Sequence, residues 1–368
     1  MKLINDAQPQ AEGGENQSKA PARPKEGGGA TFKDERGHNN RVNQAKLDVI
    51  RGIEPWLGQN LGSFLNPINE SWQPADFLPD LTNTEWAEAL SDFRRRAENL
   101  PDDLLVVLVG DMVTEEALPT YQSWLNRLQG VTDETGASDG PWARWVRGWT
   151  SEENRHGDLL NRYLYVTGRV DMRAVEVTIH HLINNGFDAH TDNDPYLGFI
   201  YTSFQERATK ISHRNVATLA RRAGEESLHR ICGLIAGDEA RHEKAYKAIM
   251  AKIFEVDPAG AISAFATMMK RKITMPAVSM RDAKDDHLFV RFSRVAQRTG
   301  VYTIQDYADI IDSLVQEWKV EHLSGLSDLA AKAQDYLCTL SDRYRALADK
   351  ASFSGPDRFS WIFDRAVE

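Results

Sequence analysis

The stretch Glu152-Glu153-Asn154-Arg155-His156-Gly157-Asp158 places a glutamate three residues before a histidine, and Asp238-Glu239-Ala240-Arg241-His242 repeats the pattern. On an α-helix, residues three apart share a face, so each Glu-x-x-His directs a carboxylate and an imidazole at a common point. A further acid precedes each copy. Glu152 and Asp238 are placed to accept a hydrogen bond from the second ring nitrogen of the histidine in the opposite half. Upstream of each copy runs another long helical segment with an isolated carboxylate: Glu206 before the second copy, and Glu115 or Glu116 before the first. Spacing alone leaves the choice between Glu115 and Glu116 open.

The order Glu, Glu-x-x-His, Glu, Glu-x-x-His is that of two helical hairpins joined about a pseudo-twofold axis, the arrangement of ferritin-like dimetal carboxylate bundles. Four carboxylates balance two divalent cations, which lets an apolar bundle enclose the cluster. Hard oxygen donors with one imidazole per metal suit iron or manganese better than calcium or magnesium, and zinc lacks redox capacity. Thr209 stands one turn after Glu206. Its hydroxyl either bonds back to the preceding turn or stands beside bound O2.

The rest of the chain agrees with an all-α fold. Apolar residues recur at three- and four-residue spacing, with Gly or Pro at the joints. Helices are expected over Thr84–Asn99, Pro101–Leu128, Trp142–Leu164, Asp171–Asn185, Pro195–Arg222, Glu225–Phe254, Pro258–Lys272, Asp286–Thr299, Thr303–Glu321 and from Asp328 to about Ala351. Residues 1–43 are rich in Gly, Pro, Lys, Glu, Gln and Asn, cannot repay the entropy of folding, and read as a disordered tail; residues 44–368 read as one domain. The acids Asp6, Glu12, Glu15 and Glu26 are unlike a plastid transit peptide, and no secretory apolar segment stands there.

Composition narrows the function. The chain has 368 residues, 41% of them hydrophobic and 27% charged, and its longest apolar run, Leu104 to Val109, is too short to span a bilayer. Lys and Arg number 44 against 54 Asp and Glu, and the net charge of −10 argues against nucleic acid as a partner. The two cysteines, Cys232 and Cys338, offer neither a disulfide framework nor an iron–sulfur motif. Redox work by this chain would therefore use the His and carboxylate cluster, with electrons supplied from outside. The pair His180-His181 and the isolated His190, His213, His229 and His287 lack a carboxylate pattern and read as surface or satisfied core residues.

Longer motifs surround these ligands: Gly110–Tyr121 (GDMVTEEALPTY), EENRHGD at Glu152–Asp158, YLGFIYTSFQERAT at Tyr196–Thr209, and FSWIF at Phe359–Phe363. From about Trp72 to the C-terminus the chain resembles the soluble plant acyl-carrier-protein desaturases. The resemblance implies an enzyme of the plastid stroma, a homodimer, that takes electrons from reduced [2Fe–2S] ferredoxin. With O2 it introduces a cis double bond into a saturated acyl chain carried on acyl carrier protein, by default at the Δ9 position of stearoyl. Matched by position, the iron ligands are Glu115, Glu153, His156, Glu206, Glu239 and His242, with Glu153 and Glu239 bridging. Asp238 and Trp72 would form a route from His156 towards the surface.

The same matching places Trp124, Arg127, Leu128, Ala189, Thr191, Gly198 and Phe199 along the acyl tunnel. Here the chain departs from the stearoyl pattern. Trp124 replaces a usual Met, Arg127 a usual Thr and Ala189 a usual Pro, and a shorter tunnel is expected unless Arg127 turns outward. The segment Asn66–Ser71 lacks the lysines common in the family, and Ala240 replaces a frequent Lys. Arg221, Arg222, Arg241, Lys244 and Lys247 are left as candidates for a basic carrier-docking patch. Two alternatives share the ligand logic: a ferritin-like iron store, and a radical-forming subunit that would use Tyr163.

Overall fold

The computed structural model describes residues 42–282 and 287–368. The expected N-terminal tail lies almost wholly outside the described residues, as does Asp286, the expected start of one helix. The core is built from α3 (Asp102–Glu116), α5 (Pro141–Thr167), α7 (Pro195–Arg222) and α8 (Glu226–Val256). Helix α7 lies along α8 as one antiparallel hairpin, α3 pairs with α5 as the other, and contacts of α3 with α7 and of α5 with α8 close a four-helix bundle of the ferritin-like kind.

Each core helix is fixed by local chemistry. Asp102 and Asp103 favour the N-terminal turn of α3, whose residues from Leu104 to Gly110 are all buried. Pro141 opens α5, and Gly168, at φ +66°, ends it in the left-handed conformation. Asp194 caps α7 through the Tyr196 N–H, and Glu225 caps α8 through the Leu228 N–H. At Gly110 a Cβ would stand 2.0 Å from the ring of Phe292, so the bare backbone of α3 is what lets α10 (Leu288–Thr299) pack against it.

The outer layer comprises α1 (Gln44–Phe64), α2 (Trp86–Ala97), α4 (Leu118–Leu125), α6 (Met172–Asn185), α9 (Pro258–Arg271), α10, α11 (Ile304–Glu317), α12 (Asp328–Cys338) and α13 (Leu340–Ala348). Helix α1 lies where no helix was expected. Pro55 and three glycines dilute its pattern, yet Ile50, Ile53, Leu57, Leu61 and Phe64 bury one stripe, and α1 packs on α5 and α8.

The expected single helix from Pro101 to Leu128 is two. Pro119 has no N–H for the Glu115 carbonyl, so α3 stops at Glu116 and α4 restarts at Leu118. The last expected helix likewise divides at Thr339, and α11 ends four residues early, before Lys319 at φ +50°. An antiparallel hairpin of β1 (Asp357–Phe359) and β2 (Arg365–Val367) interrupts the all-α character near the C-terminus. It presents fully buried Trp361, whose indole N–H donates to Thr178 Oγ1 on α6 at 2.9 Å. Among the described residues no helix is long and apolar enough to cross a membrane.

Candidate metal centre

Six side chains meet in the middle of the bundle, with Glu115 from α3, Glu153 and His156 from α5, Glu206 from α7, and Glu239 and His242 from α8. Donor atoms of Glu115, Glu153, His156 and Glu239 lie within 4.8 Å of one another, and so do those of Glu153, Glu206, Glu239 and His242. Glu153 and Glu239 thus belong to both groups. Burial separates the two candidates on α3: Glu115 turns into the cluster, whereas half-buried Glu116 accepts a hydrogen bond from Asn161.

Both histidines are held by their outer nitrogens. His242 Nε2 stands 2.8 Å from Glu152 Oε2, and His156 Nε2 stands 3.4 Å from Asp238 Oδ2, each acid lying on the opposite helix as the sequence pattern suggested. Arg241 donates to both acids, at 2.6 Å to Glu152 and 2.9 Å to Asp238. The Trp72 indole donates to Asp238 at 3.1 Å, and its ring stacks on His156 with centroids 6.1 Å apart.

With both Nε2 atoms engaged, both Nδ1 atoms face inward. His156 Nδ1, His242 Nδ1, Glu153 Oε1 and Glu239 Oε1 are buried and find no hydrogen-bond partner among the described residues. His242 Nδ1 and Glu153 Oε1 approach to 2.6 Å without hydrogen-bond alignment. Orphaned buried donors and acceptors cost free energy, so inward nitrogens and carboxylate oxygens at this density fit a pair of divalent cations. The protonation pattern agrees. Burial pushes Glu115 up to about 7 and drives Glu206 well above the ordinary carboxyl range. Burial also opposes charge on Glu153, but the neighbouring His156 and His242 outweigh it and hold that carboxyl far below its usual value. Without cations the four carboxylates are not all charged together.

Two supports escaped the sequence reading. The Trp149 indole donates to Glu206 Oε1 at 2.9 Å, and buried His213 places Nε2 2.9 Å from Glu115 Oε1. A signal existed for each: Trp149 lies four residues before Glu153, and His213 lies seven after Glu206, on ligand-bearing faces. The Thr209 hydroxyl reaches Glu239 Oε2 at 2.8 Å, while its back-bonding geometry to Gln205 and Glu206 is also present. Tyr163 is sealed in the core, with its hydroxyl 3.3 Å from Glu225 Oε1.

A cavity of about 70 Å³ adjoins the four carboxylates and Thr209, walled by Tyr121, Trp124, Leu125, Phe187 and Tyr201. Of the seven expected tunnel residues, only Trp124 lines it. Arg127 is exposed and faces an outer recess with Thr191; Leu128 packs on Gly198, Phe199 stacks on Trp142, and Ala189 is buried. A second cavity of about 520 Å³, lined by Asp111, Ser212, Met275, Phe289, Phe292 and Tyr302 among others, lies one turn from the cluster, and Met275 on its wall precedes Pro276 on the wall of the first. Among the candidates for a basic patch, Arg221, Arg222 and Lys244 are exposed. Arg241 is taken up by Glu152 and Asp238, and Lys247 by Glu243 and Glu317.

This arrangement of a buried dimetal-type cluster beside an apolar cavity is accompanied by a match over residues 45–363 to the family described as fatty acid desaturase, and the chain belongs to that family. Among particular relatives, it is 57% identical to an acyl-[acyl-carrier-protein] desaturase, chloroplastic, of Cucumis sativus, over 88% of this chain and 83% of that one. It is 55% identical to a stearoyl-[acyl-carrier-protein] 9-desaturase, chloroplastic, of Spinacia oleracea, and 56% identical to a palmitoyl-[acyl-carrier-protein] 4-desaturase, chloroplastic, of Ophrys sphegodes, each over 88% of this chain and 82% of the relative.

Proposed function

We propose that this oxidoreductase desaturates a saturated acyl chain carried on acyl carrier protein, using O2 and electrons from reduced [2Fe–2S] ferredoxin. The observation that carries this reading is the pair of four-donor groups sharing Glu153 and Glu239 beside an apolar cavity. Two hydrogen atoms, carrying two electrons between them, leave neighbouring methylenes, two further electrons come from ferredoxin with two protons from solvent, and O2 ends as two waters. Two iron ions, when bound, supply the redox capacity for that exchange.

The side chains do the remaining work. Glu115, Glu153, Glu206 and Glu239, with His156 and His242 through Nδ1, would hold the two ions. Glu152 and Asp238 fix the tautomer and orientation of the histidines. Thr209 places a hydroxyl at the cavity edge, and the stacked Trp72 with Asp238 offers a path from His156 towards the surface. An unactivated chain has no polar group at its reacting carbons, so the apolar walls must orient it. The 520 Å³ cavity suits the carboxyl half of the acyl chain and its carrier arm. The names of the relatives support a chloroplast location and acyl carrier protein as the partner; the stroma and a homodimer are proposed on family likeness.

Iron-loaded protein incubated with reduced ferredoxin, O2 and acyl carriers from about 14 to 18 carbons should yield a monoene detectable by mass spectrometry. Glu206→Ala or His242→Ala should abolish product while leaving the helical circular dichroism intact. Saturated product only, from a sample holding its iron, would contradict the reading.

A further inference from the structure

Helix α5 carries three indoles on one face, Trp142, Trp145 and Trp149, spaced three and four residues apart, and Glu153 continues the same stripe into the metal cluster. Trp149 donates its N–H to Glu206 Oε1 at 2.9 Å, and its ring lies 6.4 Å from that of His242. Trp145, one turn earlier, is fully buried with its ring 6.5 Å from the same imidazole. Tyr246 fills the angle between the two indoles, 5.2 Å from Trp145 and 6.4 Å from Trp149. On the far side of Trp145 the Phe64 ring follows at 6.2 Å, and 6.0 Å beyond it stands Trp56, partly exposed on α1. Support of Glu206 occupies only the inner end of this series, and the aromatic contact runs on without a break to the protein surface.

O2 takes up four electrons on its way to two waters, and in desaturation two of them arrive with the hydrogens of the acyl chain. With no chain in the cavity, the side chains around the cluster are the nearest source, and indoles and phenols give up an electron most readily. A phenol sheds its proton as it is oxidised, and Tyr121 and Tyr201 donate only to the Thr114 and Thr274 carbonyls, which cannot hold one. An indole keeps its proton where a carboxylate faces the N–H and stabilises the positive ring, the role of a metal-bound Glu206 at Trp149. Trp124 has only the neutral Thr191 hydroxyl. Trp72 has Asp238, but the Arg155 guanidinium lies over its ring at 5.0 Å, and a cation there opposes loss of an electron. Among the described residues no cation lies over Trp145 or Trp149, and Lys252, 5.9 Å from the Trp56 ring, is paired with Glu255 in solvent, where its charge is screened.

We propose that Trp149, Trp145 and Trp56 form an outlet for oxidising equivalents, used when O2 is reduced at the metal pair with no acyl chain in the cavity. Trp149 gives one electron to the metal pair and is refilled from Trp145, which is refilled from Trp56, so the missing electron ends at the surface. A thiol in solution replaces it there. Two passes convert two thiols to a disulfide and deliver the two electrons that the acyl chain would have given. The thiol protons go to solvent, and solvent supplies the protons of the two waters. The other two electrons come from ferredoxin. The proposal rests on the desaturase reading for the source of the oxidising equivalents.

The test uses full-length, iron-loaded wild type, Trp145→Phe and Trp56→Phe without acyl carrier. Each is reduced and mixed with O2, and in a second arm the oxidised protein receives hydrogen peroxide, which delivers oxidising equivalents without ferredoxin or desaturation. Samples frozen at intervals are read by electron paramagnetic resonance with ring-deuterated tryptophan, and the protein is then mapped by mass spectrometry for oxidised residues. Wild type should show a tryptophan radical that an added thiol removes. In Trp145→Phe and Trp56→Phe thiol quenching should be lost, and oxidative damage should move inward to Trp149 and its neighbours. Trp56→Phe should still form monoene when given acyl carrier. No tryptophan radical in wild type in either arm, or thiol quenching that is the same in all three proteins, overturns the proposal and leaves the desaturase reading standing. Absence of monoene from every protein holding two irons overturns that reading instead, and the peroxide arm then decides whether the indoles form the outlet.

Discussion

The two halves of the cluster carry the same ligand types on the same kinds of helix but are held by different neighbours. In the first half, Glu115 is steadied by His213, and His156 by Asp238, which in turn accepts from the partly exposed Trp72. In the second half, Glu206 is steadied by Trp149, and His242 faces Trp145 and Trp149 in the aromatic core, with Glu152 behind it. One half is connected to the surface by a stacked indole and a carboxylate. The other has two indoles beside its imidazole, and its acid, Glu152, is held by Arg241 and the Asn66 N–H. A pseudo-symmetric ligand set therefore does not make two equivalent sites, because the supports decide charge, access and rigidity.

The largest effect is expected from removing the supports of Glu115 and Glu206. Trp149→Phe and His213→Phe each leave one carboxylate free to swing and should weaken metal binding by about 10–100-fold at the affected half only. Stepwise titration with a spectroscopic divalent ion such as cobalt should show one tight and one weakened site in each variant. Equal weakening of both sites by either change would mean that the halves act as one.

A smaller effect follows from protonation. In the metal-free chain, burial lifts Glu115 to about 7 and Glu206 well above its ordinary value, so both retain protons when the solution is more acidic than those values. Divalent ions must displace these protons. Affinity should therefore rise with pH through neutrality, by up to about tenfold per pH unit for each proton released, and calorimetry in buffers of different ionisation enthalpy should detect the release. Binding without proton release would show that the cluster is already fully charged.

The convergence of the six side chains was legible because it depends on helical periodicity, and two copies of Glu-x-x-His with upstream acids reveal both hairpins at once. Glu115 and Glu116 are adjacent, so spacing could not choose between them; the choice follows from which face of α3 is buried against α7. His213 was passed over because its partner is on another helix, although Glu206, Thr209 and His213 form a regular stripe on α7. Tunnel residues were the least legible. Whether Arg127 points in or out depends on packing that begins only after Pro119 breaks the helix, and the structure turns it outward, so that of the seven expected positions Trp124 alone borders the inner cavity.

Whether the six side chains hold a diiron centre is read from the number and coupling of irons per chain, by elemental analysis with Mössbauer spectroscopy of protein reconstituted anaerobically and then exposed to O2. Two irons per chain, antiferromagnetically coupled once oxidised and in unequal environments, are expected. A single iron, two uncoupled irons or a mineral core of many would contradict that.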